Sequence, residues 1–173
     1  RRGKVIGQYL ALNDIVITKS AFARIQVACY IEDEYLATYR GDGVIAATAT
    51  GSTAYSLSAG GPIVSPALNC LVVTPICPHA LGTRSLVISG RETFLGRIVA
   101  HKGEIMVSVD GQWTHSLEQG DEVRVKLAAE TVKFIRLPEQ KFYQAVRACL
   151  FNNTCRLSET EDIRTEKGRC LSD

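Results

Sequence analysis

Short alternating segments, each closed by a turn within about ten residues, constrain this chain more than any other feature. Leu10–Thr18 (LALNDIVIT) and Arg24–Tyr30 (RIQVACY) are rich in β-branched residues, and Glu34–Tyr39 follows the acidic turn Glu32-Asp33. Val44–Ala47, Cys70–Thr74 and Ser85–Ile88 are short apolar runs bounded by Gly or Pro. Glu104–Val109 alternates and stops at Asp110-Gly111, a tight hairpin signal. Asp121–Leu127 sets Val123, Val125 and Leu127 on one face, and Thr131–Leu137 alternates again. No helical pattern of roughly 10–15 residues separates these strands, so the expected architecture is mainly β and two-layer, sandwich-like, not a parallel βαβ sheet.

Two helical pieces are expected. Tyr55–Ala59 starts a short helix that ends at Gly60-Gly61, with Pro62 beyond it. Lys141–Leu150 places Phe142, Val146 and Cys149 on one stripe, which predicts a short C-terminal helix. The domain is therefore expected over residues 1–150, and the polar segment 151–173, which lacks periodicity, is expected to be a flexible tail. The first residues, Arg1, Arg2 and Lys4, read as a frayed, exposed end. The sequence does not begin with Met, so a piece of a longer protein is expected.

Composition excludes little but excludes it clearly. A formal net charge of +2 on 173 residues offers no field to attract nucleic acid or an anionic membrane. No apolar run approaches the ~18 residues of a spanning helix, and no secretory signal is visible. The six cysteines, at 29, 70, 77, 149, 155 and 170, lack the close pairs of a zinc site. They read as reduced, mostly buried thiols of a cytoplasmic protein.

The run from Gly41 to Pro62 points to function. It packs glycines, small residues and hydroxyls into one continuous stretch. Such a stretch lets backbone approach a ligand and offers many donors and acceptors. Gly41-x-Gly43-x-x-Ala46 fits the dinucleotide fingerprint in letters only, because Val44-Ile45 continues as strand where that fold opens a helix. No Lys follows Gly51, which excludes a P-loop. Ser56 stands where a nucleophile elbow centred on Ser58 needs its first glycine. What remains is a ligand wall. Thr50, Ser52, Thr53, Ser56 and Ser58 bring hydroxyls, Tyr55 a flat face with a phenolic end, and Asp42, beside Arg40, an acceptor for an amino group.

The segment RGDGVIAATATGSTAYSLSAGGPIV resembles the signature of the NAD kinase family, in its C-terminal domain. Ala11-Leu12-Asn13-Asp14 resembles that family's Asn-Glu motif. Thr74-Pro75-Ile76-Cys77-Pro78-His79 resembles the segment after the signature, and Ser108-Val109-Asp110-Gly111-Gln112 its late Asp-Gly-Gln turn. The four motifs stand in the family's order between about residue 9 and about residue 150. The resemblance implies the all-β half of the NAD kinase/diacylglycerol kinase-like fold, with an N-terminal α/β catalytic domain outside this sequence.

It also implies an activity: phosphorylation of the adenosine ribose 2′-hydroxyl of NAD to NADP, with ATP or polyphosphate as donor and Mg²⁺ or another divalent cation. Carried over, Asn13 and Asp14 contact ribose and base, and Thr53, Ala54, Tyr55, Ser56 and Ser58 line the adenosine and phosphate pocket. Arg40 and Asp42 meet the nicotinamide half or a neighbouring subunit's ligand. Thr50 and Gln112 are further contacts, and Arg24 and Cys77 fall at contact positions where residue identity varies. A homo-oligomer, dimer or tetramer, is implied as well.

Two departures stand out. Asp14 replaces the usual Glu and is one methylene shorter, so its ribose contact is expected to be longer or bridged by water. The family's catalytic Gly-Gly-Asp-Gly does not occur here: the Gly41-Asp42-Gly43 triplet follows Arg40, not Gly. The isolated chain is thus expected to bind NAD and to carry neither catalytic nor metal-binding residues. A non-catalytic nucleotide-binding module and a related lipid kinase are the alternatives. Trp113 reads as surface packing, and His79 as a hydrogen-bonded structural histidine.

Overall fold

A computed structural model describes residues 1, 3–20, 24–135 and 141–148. Among these residues ten strands form in chain order: β1 Asp14–Lys19, β2 Arg24–Ile31, β3 Glu34–Gly41, β4 Gly43–Thr48, β5 Cys70–Ile76, β6 Leu86–Ser89, β7 Phe94–Lys102, β8 Ile105–Val109, β9 Trp113–Leu117 and β10 Glu122–Val125. A 3₁₀ turn at Gly51–Thr53 leads into α1, Tyr55–Ser58. The chain divides into two units, Arg1–Val132 and Lys133–Asp173. The described part of the second holds α2, Phe142–Val146, whose Phe142 and Val146 are the half-buried positions of one stripe. Cys149 and the expected tail lie outside the described residues.

The strands make two antiparallel sheets, one ordered β6-β5-β4-β1-β8-β9 and the other β10-β7-β2-β3. The mainly β, sandwich-like expectation therefore holds. Alternation explains the core between the sheets. Ile17, Val44, Ala46, Leu71, Val73 and Ile105 from the larger sheet meet Ile25, Val27, Cys29, Phe94 and Ile98 from the smaller. Val123, Val125 and Leu127 pack against this core from one face, as their spacing predicts. β4 and β5 are buried on both faces, which is why they read as continuous apolar runs. Their other face carries Ile45, Ala47, Val72 and Ile76, joined by Val16 of β1, and it packs with Ala49 and Val64 from the segment that includes the 3₁₀ turn and α1. Pro75 lies in β5 beyond the stretch Cys70–Val73 that pairs with β6, where a missing N–H costs no ladder bond.

Several boundaries differ from expectation. β1 begins at Asp14, and the N–H groups of Leu12 and Asn13 before it bond to a side chain. β7, the longest strand, was not expected. Residues 131–135 are not a strand, and 136–137 lie outside the described residues. Arg1 is not frayed: its guanidinium holds the buried Asp121 carboxylate through Nε at 2.9 Å and a terminal nitrogen at 2.7 Å, and it reaches Glu118 at 3.0 Å.

The hydrogen bond from Arg1 lowers the Asp121 pKa from its ordinary value, helped by the Glu118 backbone N–H and opposed by burial. A lowered folded-state pKa means that the stabilisation is complete above the ordinary carboxylate pKa of about 3.9 and is lost as pH falls through the lower folded value. Asp121→Asn is expected to lower the thermal midpoint at pH 7 and to converge with wild type in acid, as thermal unfolding across pH will show.

Candidate functional site

The glycine- and hydroxyl-rich segment is a built layer. Gly51 sits so close to the Asn13 carbonyl that any side chain there would collide with backbone. The buried Ser52 hydroxyl donates to the Ala49 carbonyl at 2.7 Å and accepts the Val64 N–H at 3.0 Å, closing the segment on itself. The buried Ser56 hydroxyl pairs with Thr74 of β5 at 2.9 Å, and Gly61 leaves room for that pair. These hydroxyls anchor α1 to the sheet. Ser56, expected in the pocket wall, thus has its hydroxyl committed inside the protein. Thr53, Tyr55 and Ser58 face outward, with Tyr55 46% exposed, and Ala54 is half-buried.

Asn13 and Asp14 adjoin this layer. The Thr48 N–H donates to the Asn13 carbonyl at 2.8 Å and the Thr48 hydroxyl to the Leu12 carbonyl at 2.8 Å, while the same hydroxyl accepts the Gly51 N–H at 3.0 Å. On the other side stands the β8–β9 turn. Its Asp110 carboxylate accepts the N–H groups of Leu12, Asn13 and Asp14. Gln112, the next turn residue but one, is exposed. Asn13, Asp14, Thr50, Thr53–Tyr55 and Gln112 are therefore gathered around the C-terminal end of β4.

Asp14 is only 5% exposed, and its carboxylate makes no hydrogen bond to another described residue. Burial, then the nearby Asp110 charge, raises its pKa from the ordinary value. Its register partner Ala47 belongs to the face covered by the signature segment.

The remaining candidates lie at the opposite end of β4, about 17 Å away at ~3.3 Å per residue. Asp42 pairs with the Lys19 ammonium at 3.0 Å. Asp42, expected to accept from a ligand's amino group, is thus paired within the protein, and reading the sequence did not reveal Lys19. Gly41 packs on the Ile76 and Cys77 carbonyls, the Asp42 N–H donates to Ile76, and the His79 N–H donates to the Arg40 carbonyl. These bonds collect Arg40, Asp42 and the exposed Cys77, whose φ is +43°. Exposed Arg24 opens β2 beside the Ile25–Gly41 register pair. His79 takes part through its backbone and its ring is exposed, unlike the expectation. Trp113 packs on Tyr9 with ring centroids 4.0 Å apart, as surface packing predicts.

Among the described residues no three His, Cys, Asp or Glu side chains gather to hold a metal ion. Both Asp110 oxygens already accept backbone N–H groups. These residues do not make a cradle for Mg²⁺. No helix among them is long and apolar enough to cross a membrane.

The family model of the ATP-NAD kinase C-terminal domain matches residues 12–137. The chain belongs to the NAD kinase family. The NAD kinase of Moorella thermoacetica is 50% identical over 138 residues, which cover 79% of this chain and 44% of that protein. A crystal structure of yeast NADH kinase complexed with NADH superposes with a TM-score of 0.74 at 32% identity, covering 86% of this chain and 46% of that one. The NAD kinase of Archaeoglobus fulgidus in complex with ATP superposes with a TM-score of 0.63, also at 32% identity, over 69% of this chain and 46% of that one. The chain spans about half the length of the curated relatives it matches.

A carboxylate whose folded-state pKa is raised destabilises the fold while ionised, and the penalty disappears as pH falls below its ordinary value. Asp14→Asn is therefore expected to raise the thermal midpoint at pH 7, with the gain shrinking in acid. A variant less stable than wild type at pH 7 would contradict the assigned cause.

Proposed function

We propose that this chain is the NAD-binding part of an enzyme that transfers a phosphoryl group to the adenosine ribose 2′-hydroxyl of NAD, giving NADP. One observation carries the reading. Residues from three of the four motif segments, distant in sequence, converge on the C-terminal end of β4, and they bring together a carboxylate without a hydrogen-bond partner among the described residues, an exposed ring and exposed hydroxyls. A nucleoside asks for this combination: a flat face for the base, acceptors for ribose hydroxyls, and donors for phosphate.

In this reading Tyr55 lies against the adenine, with Ala54 leaving space beside it. Asp14 and Asn13 accept and donate hydrogen bonds at the ribose, which aims the 2′-hydroxyl at the donor. Thr50, Thr53, Ser58 and Gln112 hold the flanking polar groups. Ser56 supports α1 from below. Arg24, Arg40, Asp42 and Cys77 serve the nicotinamide half or a neighbouring subunit's ligand, in a dimer or tetramer. Phosphoryl transfer depends mostly on positioning and charge neutralisation, and this chain supplies positioning. ATP or polyphosphate is the donor. The general base and the groups for Mg²⁺ are assigned to a Gly-Gly-Asp-Gly motif that this sequence lacks. A cytoplasmic setting fits the reduced thiols.

The test is NADP formation by this chain in its natural reading frame, with donor and Mg²⁺, beside the isolated 173-residue chain. The long form is expected to turn over NAD and the isolated chain to show little or no activity. Tyr55→Ala is expected to raise the KM for NAD about tenfold, the loss of one stacking contact. No NAD binding by the long form in calorimetry would overturn the assignment and favour a lipid head group or another nucleotide.

A further inference from the structure

The Asp110 carboxylate is fully engaged within the protein. Oδ1 accepts the Asn13 N–H at 2.7 Å and the Asp14 N–H at 3.0 Å, and Oδ2 accepts the Leu12 N–H at 2.7 Å. The Asp110 N–H answers by donating to the Asp14 carbonyl at 3.0 Å. Bonds from backbone N–H to a carboxylate are about twice as strong as neutral ones. Two of them, from Leu12 and Asn13, fall before β1 begins and the third is its first residue's, and all three N–H groups depend on this one side chain. The turn aims it: Asp110 and Gly111 have φ of +48° and +66°, and the Gln112 N–H closes the turn on the Val109 carbonyl at 3.0 Å. From the opposite side, Thr48 holds the Leu12 and Asn13 carbonyls. The backbone of Asn13 and Asp14 is thus gripped between two strands that both neighbour β1.

We propose that Asp110 is a positioning residue for the NAD site: its carboxylate fixes the backbone of Asn13 and Asp14 so that their side chains meet the ribose. It acts through that backbone and does not touch the ligand. The inference rests on the NAD-site reading above.

The test uses this chain in its natural reading frame. Asp110→Asn keeps an oxygen for Asn13 and Asp14 but presents an NH₂ to the Leu12 N–H; Asp110→Ala removes all three acceptors. Asp110→Asn is expected to raise the KM and Kd for NAD about tenfold, as for the loss of one charged hydrogen bond, with the KM for the phosphate donor within about twofold of wild type. Amide exchange at Leu12, Asn13 and Asp14 is expected to quicken in the ligand-free variant. Asp110→Ala is expected to show a larger effect of the same kind. If it does not fold, Asp110→Asn decides alone. NAD affinity within about twofold of wild type for a folded Asp110→Asn overturns the inference. So does an equal loss of affinity for NAD and donor, which marks general loosening. Wild-type protein that fails to bind NAD overturns the NAD-site reading instead, and quickened exchange in the variant would then leave Asp110 as a clamp without that ligand.

Discussion

A sheet that is apolar on both faces must be covered twice, and this requirement organises the molecule. In β4 and β5, Val44, Ala46, Leu71 and Val73 face the smaller sheet while Ile45, Ala47, Val72 and Ile76 face away from it. The smaller sheet covers one side. The segment from Ala49 to Val64, with only a 3₁₀ turn and four residues of α-helix, helps cover the other. So short a cover has few side chains to bury. It closes instead through buried hydroxyl bonds, Ser52 to its own loop and Ser56 to Thr74. The candidate ligand wall and the second cover are the same piece of chain. A change at Ser52 or Ser56 therefore acts on folding before it acts on binding.

This double duty explains which parts of the site could be read from the sequence. Composition announced the segment, but the hydroxyls of Thr50, Ser52, Thr53, Ser56 and Ser58 carry no mark of direction. The 3₁₀ turn and α1 send Ser52 and Ser56, four residues apart, into the protein and leave Thr53, Tyr55 and Ser58 outside. In the fold, β2, β4, β5 and β8 were legible from alternation or unbroken apolarity. β7 was not, because Gly96 and the outward Arg97 break its pattern, and tertiary context supplies the reason. A side chain at 96 would collide with Ile17 across the sandwich. Arg97 is held on the surface by Glu122 and lies 5.3 Å from the Tyr30 ring. Asp110 read only as a turn residue, since its partners lie almost a hundred positions earlier. Lys19 gave no signal for a similar reason.

The two buried aspartates show where the fold spends stability. Asp121 has a guanidinium with two nitrogens on its oxygens, and its pKa is lowered. Asp14 has no hydrogen-bond partner for its carboxylate among the described residues and a second carboxylate nearby, and its pKa is raised. Folding alone gives no reason to keep the second arrangement, because an ionised, desolvated carboxylate costs free energy. Asparagine at that position would fit the same space without the charge. A bound group that donates hydrogen bonds would change this balance. Ribose hydroxyls do so without adding charge, whereas a phosphate beside Asp14 and Asp110 would meet repulsion. The electrostatics at this end of β4 therefore favour an uncharged hydroxyl donor over a phosphate beside Asp14.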